Sequence, residues 1–187
     1  MKRSGVVVAA VVIVVAGFAA WLLRSGSERI AIDLIEQFPT APIKRPRAEV
    51  FTVEDVSIGG VSHRGIVPSE PARVGWHFTV PADAWLKLSI GMKEQSWTMQ
   101  GNGVVFQIGV SNGKTYEELL RLHVNPFTEP GDRQWKDLTL DLSPYSGQAV
   151  DLVFNNLSGP DPPPGQPFKD DRNGDMPVWG APRVVIK

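Results

Sequence analysis

The sequence predicts an all-β fold: a jelly-roll β-sandwich behind a single N-terminal transmembrane helix. Three observations lead there. Apolar residues recur at every second position in short runs from about Phe51 onward, which is the period of half-buried strands. Turn formers, with 18 Gly and 16 Pro, separate those runs. A stretch without charge, Val6 to Leu23, stands near the N-terminus.

In chain order, Met1 to Gly5 is a short head and Val6 to Leu23 is the anchor. As a helix its 18 residues span about 27 Å, close to the roughly 30 Å hydrocarbon core. Trp21 sits near its outer end, where an amphipathic ring favours the interface. A cleavable signal peptide is the competing reading, but Trp21-Leu22-Leu23 directly after a Gly17-Phe18-Ala19 site would be an odd mature terminus. The head stays cytoplasmic, so the domain is expected on the extracytoplasmic side of an inner or plasma membrane, with the bilayer as partner through Val6–Leu23. Residues 24–47 read as a juxtamembrane segment and linker. Within them Ile30 to Phe38 fits a short helix or a first strand, and Pro42 to Arg47 (PIKRPR) is a stiff basic link that could touch anionic headgroups.

The sandwich is expected over residues 48–187. Glu49–Ile58 alternates with one phase shift, Phe51 and Val53 followed by Val56 and Ile58, and ends at Gly59-Gly60. Val61–Val67, Arg73–Val80, Trp85–Met92 and Val104–Val110 follow, then a two-residue Asn112-Gly113 turn into Thr115–Val124. Trp135–Leu142 and Ala149–Phe154 flank the polar link Ser143 to Gln148. Asn155 to Pro177 reads as a long irregular stretch, and Val178–Ile186 closes the fold. Eight or nine short strands with one apolar face each need a second sheet to cover that face.

Composition narrows the function. The chain carries a net charge of −1, and past the anchor 17 basic residues stand against 20 acidic ones. No clustered basic face argues for nucleic acid. The absence of cysteine excludes disulfides, thiolate metal sites, cysteine nucleophiles and a lipidated cysteine.

The order WHFTVPADAWLKLSIG, GVVFQIGV, WKDLTLDLSPYSGQAVDLVF and VWGAPRVVI resembles the galactose-binding-like jelly rolls, over roughly Phe51 to Ile186. The matching residues are Pro81, Ala84 and Leu86; Asp141, Leu142, Ser143, Tyr145, Gly147 and Gln148; and Trp179, Pro182 and Val184. The resemblance implies the fold, and a role as a sugar binder, a protein-binding module or an inert spacer. Fold analogy alone supplies no activity.

Aromatic rings are the natural sugar platforms. Trp76 and Trp179 fall on core phases, and Trp135 at a strand start reads the same way. Trp85, off phase with Leu86 and Leu88, and Trp97, in a polar loop, are the ligand candidates, with Tyr116 near the hairpin as a third. Asp171, Asn173 and Asp175 place oxygen side chains at alternate positions, a pattern that a structural Ca2+ favours. Gly174 and Met176-Pro177 break the EF-hand spacing, so solvated Asx turns are the alternative and no cofactor is expected. His63, His77 and His123 are dispersed, and no nucleophile elbow or phosphate-cradling loop is present. These readings converge on a membrane-anchored, non-catalytic binding module for envelope glycan or polysaccharide. The alternative is a structural or assembly protein that docks another envelope protein through the sandwich.

Overall fold

A computed structural model of the chain describes residues 28–160, 164–165 and 170–186. The proposed anchor Val6–Leu23 lies outside the described residues, as does part of the Pro162-Pro163-Pro164 run. No helix among the described residues is long and apolar enough to cross a membrane.

Residues Ile30–Ile186 form a compact unit of two packed β-sheets. The strands are β1 (Arg29–Asp33), β2 (Ile43–Arg45), β3 (Phe51–Ile58), β4 (Val61–Pro68), β5 (Ala72–Thr79), β6 (Ala84–Met92), β7 (Val104–Ser111), β8 (Tyr116–Val124), β9 (Lys136–Asp141), β10 (Ala149–Ser158) and β11 (Pro177–Ile186). One sheet has the order β3-β4-β11-β6-β9, with β1 also paired to β11; the other has the order β2-β5-β10-β7-β8. Only β3–β4 and β7–β8 are hairpins. Every other link passes from one sheet to the other, as in a jelly roll.

The alternation read from the sequence is what fills the space between the sheets. Val74, Trp76, Phe106, Ile108, Leu152 and Phe154 point inward from one sheet, and Ile66, Leu86, Ile90, Trp179 and Val184 from the other. Trp179 lies between Phe106 and Phe154, each 4.8 Å away centroid to centroid, and Trp76 meets Phe154 at 5.1 Å. Pro182 is tolerated inside β11 because a bulge between Gly180 and Arg183, with Ala181 at φ 44°, returns Val184 to the core.

Four features differ from the sequence reading. The segment expected as a juxtamembrane linker is structural: β1 pairs β11, β2 pairs β5, and Leu34 is fully buried in the core. The phase shift in β3 has a cause. Phe51 faces the main core, whereas Val56 and Ile58 face outward into a second small core with Val67 and Val178. β10 runs on to Ser158, and side chains of its polar end bond inside the protein. Asn155 Oδ1 accepts from Arg73 Nε at 2.6 Å, and Asn156 Nδ2 donates to the Glu70 carbonyl at 3.0 Å. The hairpin loop has four residues rather than two, closed by Asn112 Oδ1 accepting from the N–H groups of Lys114 and Thr115.

Candidate functional site

The outward phases of β5, β10 and β7 carry the feature that distinguishes this surface. Register places three transverse rows across the five-stranded sheet, successive rows two residues apart, roughly 7 Å. The first row is His77, Asp151, Ser111 and Tyr116. The second is Ile43, Gly75, Val153, Gly109 and Glu118, and the third is Arg45, Arg73, Asn155, Gln107 and Arg121. Two of the three middle strands have glycine in the second row, so the sheet surface is low there and a trough forms. Its volume is about 550 Å³, within the size range of small-ligand sites.

The walls lean inward. The Tyr116 ring lies over Gly109, and the Ile43 Cδ1 methyl lies over Gly75. Val153, 5% exposed, forms the floor. A bulge in the β7–β8 pairing between Ile108 and Gly109 puts Tyr116 and Glu118 on this face, since without the extra residue their phase would reverse. Tyr116 remains 52% exposed, an aromatic face open to solvent. Partial burial, and then the Glu118 carboxylate, hold its hydroxyl above the ordinary phenol value, with Arg73 and Arg121 pulling the other way. It is therefore a neutral donor at physiological pH.

Polar groups surround this wall. His77 Nδ1 and Asp151 Oδ1 are 2.9 Å apart at one end. Gln107 Nε2 donates to Glu118 Oε2 at 2.7 Å on the far side. Arg73 and Arg45 close the other end, where a second recess continues past Glu70, Asn156 and Arg172. Rigid strands hold all of these, so the site is pre-formed.

Of the sequence candidates, Tyr116 is in this trough and the other two are not. Trp85 is on the outward face of β6, opposite Asp141 and Val185, on the six-stranded sheet. Trp97, in a short 3-10 turn after β6, packs on the small core of Val56, Ile58, Val67 and Val178, with its Nε1 buried. The 171–175 loop is held by separate contacts rather than converging on a cage. Asp171 Oδ1 accepts from the Asn173 N–H at 3.1 Å, Asn173 Nδ2 donates to the Gln100 carbonyl, and Asp175 Oδ2 accepts from Ser158 Oγ at 2.9 Å. Among the described residues no group of three or more His, Asp or Glu stands ready to hold a metal.

One constellation resembles hydrolytic machinery in composition only. Ser89 Oγ donates to Asp137 at 2.6 Å and lies 3.4 Å from His63 Nε2. The serine is in the middle, so the imidazole is not oriented by the carboxylate as a general base must be. Ser89 is also buried, and the Trp135 ring packs on His63 at 4.9 Å. It is a packing contact.

The trough residues Arg73, Gln107, Asp151 and Asn155 escape a sequence reading that treats outward positions as solvated. A signal is present: glycine on the outward phase of two strands, Gly75 and Gly109, flanked two residues away by polar side chains.

No protein-family profile matches the chain. An uncharacterized protein of Archaeoglobus fulgidus is 30% identical over 106 residues, 56% of this chain and 25% of that one, so the chain spans about a quarter of that relative's length. Among solved structures, the M60 catalytic domain of Clostridium perfringens ZmpB with its CBM51-1 and CBM51-2 domains is similar at a TM-score of 0.48 and 15% identity, over 86% of this chain and 13% of that. CBM51 from Clostridium perfringens GH95 in complex with methyl-galactose gives 0.45 and 12%, over 72% and 79%. TmCBM61 with β-1,4-galactotriose gives 0.45 and 8%, over 87% and 90%. What those proteins bind is a property of those proteins; this chain is an all-β sandwich with a pre-formed trough on one sheet.

Proposed function

We propose that this chain is a non-catalytic glycan-binding module whose ligand lies in the trough across β5, β10 and β7. One observation carries the reading: a solvent-open aromatic ring, Tyr116, stands over a glycine-lowered floor, and amide, hydroxyl, carboxylate and guanidinium groups line the same trough. A sugar presents an apolar C–H face and a rim of hydroxyls, which calls for that combination. Nothing in the trough has the nucleophile–base geometry of acyl transfer, nor a paired-carboxylate cleft.

The same reading keeps the chain at a membrane, held by Val6–Leu23 with the sandwich on the extracytoplasmic side. The uncharged 18-residue run, long enough as a helix to cross the hydrocarbon core, supports the anchoring. Alkaline extraction of membranes tests it, since a spanning helix stays in the pellet.

The glycan reading is tested by screening the full-length chain in detergent against an oligosaccharide array. Binding that disappears in Tyr116→Ala is expected. A blank array, or binding indifferent to that change, removes the proposal.

A further inference from the structure

At the third row, β2 and β5 place Arg45 directly opposite Arg73 on the outer face. Like charges in direct cross-strand register repel one another. Two nearby arginines have anionic partners, and Lys44 on β2 is held by the Pro39 and Ala41 carbonyls and lies over the Phe38 ring. Arg47 Nη2 stands 2.8 Å from Glu70 Oε1, an ion pair whose angle falls short of a hydrogen bond. Arg172 is held at 2.8 Å by Asp170 and lies 3.7 Å from Glu70. Arg45 and Arg73 have none among the described residues. Arg73 spends its Nε–H on the neutral Asn155 amide oxygen, and Arg45 has no hydrogen bond or ion pair to any described residue. Two unneutralised guanidinium groups therefore line both the trough and the recess continuing from it.

We propose that this arginine pair is a carboxylate-binding subsite, and that the glycan taken by the trough is an acidic one carrying a uronic-acid-type sugar. This rests on the glycan-binding reading of the trough.

Three features select the class. The bond to Asn155 fixes the Arg73 side chain and leaves its terminal N–H groups for a ligand, the planar fork that matches a carboxylate. From β7, over which the Tyr116 ring leans, to β5 is two strand spacings, roughly 10 Å. A pyranose against the ring can thus direct its exocyclic carboxylate at Arg73 and Arg45. Charge changes sign along the trough: Asp151, paired with His77, stands at the opposite end. A densely charged sulfate or phosphate ligand filling the whole length would meet that carboxylate. A sugar with one carboxylate at the arginine end, and hydroxyls at the Asp151 end, meets complementary groups at both.

The test uses the full-length chain in detergent, titrated with uronic acid trisaccharides (galacturonate, glucuronate, mannuronate and guluronate), their methyl esters, and galactotriose. Phosphatidylglycerol vesicles form a separate arm. At least one uronide is expected to bind roughly tenfold more tightly than its ester, with the difference shrinking as salt rises. Arg45→Gln and Arg73→Gln are each expected to abolish the preference for acid over ester, while Tyr116→Ala weakens acid and ester alike. Equal binding of acids, esters and galactotriose, unchanged by the arginine substitutions, overturns the subsite and leaves the glycan reading standing. No saccharide bound at all overturns both. Vesicle binding lost in Arg45→Gln, without uronide binding, reassigns the pair to lipid phosphate and overturns the proposal.

Discussion

Tyr116 covers Gly109 so closely that a methyl group built on the glycine would stand 2.3 Å from the Tyr116 Cζ and Oη atoms. The glycine is therefore part of the aromatic wall, because no larger residue lets the ring lie down. Gly109→Ala must displace the ring, and a partly exposed tyrosine can swing into solvent at little cost to folding. The expected outcome is a several-fold loss of oligosaccharide affinity with a nearly unchanged melting temperature. Calorimetric titration beside thermal denaturation checks it; an intact affinity would mean the ring position does not matter.

Trp97 separates packing from recognition. Its ring sits on Val56, Ile58, Val67 and Val178, on the sheet that does not carry the trough. Trp97→Ala should cost about 2 kcal/mol, less than the roughly 3–5 kcal/mol of a fully buried aromatic, because the ring is only half-buried. Oligosaccharide binding measured well below the melting temperature should not change. Trp85→Ala, also on that sheet, should leave binding unchanged as well. Loss of binding in either variant at full foldedness would move the site to the six-stranded sheet.

Trp179 joins the two sheets through Phe106 and Phe154, and it is 1% exposed. Trp179→Ala opens a cavity between the layers at their centre, where neither sheet can collapse without losing its register. A loss of about 3–5 kcal/mol is expected from chemical denaturation. A loss under about 1 kcal/mol would mean the aromatic contacts add little to the burial around them.

How far the sequence reaches follows from what each signal encodes. Alternation is a record of burial, so a strand with one wet and one dry face, such as β5, is readable almost to the residue. The pattern of β10 stops at Phe154 because Asn155 and Asn156 are polar, and only the fold reveals that Arg73 bonds the first and the Glu70 carbonyl the second. β2 reads as a linker since three residues, Ile43–Arg45 just before Pro46, carry no period; its pairing with β5 is a tertiary fact. The trough is assembled from β2, β5, β10, β7 and β8, residues up to 112 positions apart from Ile43 to Asn155. Off-phase tryptophans attract attention, yet register alone decides which outward residues meet, and a single sequence does not contain it.

Asp175 links that same fold to pH. Burial pushes its carboxyl from 3.8 up to about 6; the Ser158 hydroxyl bonded to Oδ2 opposes this, and Asp171 and Asp170 add to it. Its other oxygen, Oδ1, is buried without a partner. Since the folded-state value lies above the unfolded one, the folded chain holds this proton more tightly. The contribution to stability is thus complete below about pH 3.8 and is lost as pH rises through about 6. Half-exposure shrinks the effect through solvent screening, so a few degrees of melting temperature is the scale to expect. Asp175→Asn keeps an acceptor for Ser158 without the charge, and should therefore raise the melting temperature at pH 8 but not at pH 3.5. Millimolar calcium should leave the wild-type melting temperature at pH 8 unchanged, because the loop side chains are turned to separate partners. A calcium-dependent rise lost in Asp175→Asn would show that the three oxygens of Asp171, Asn173 and Asp175 can close on an ion after all.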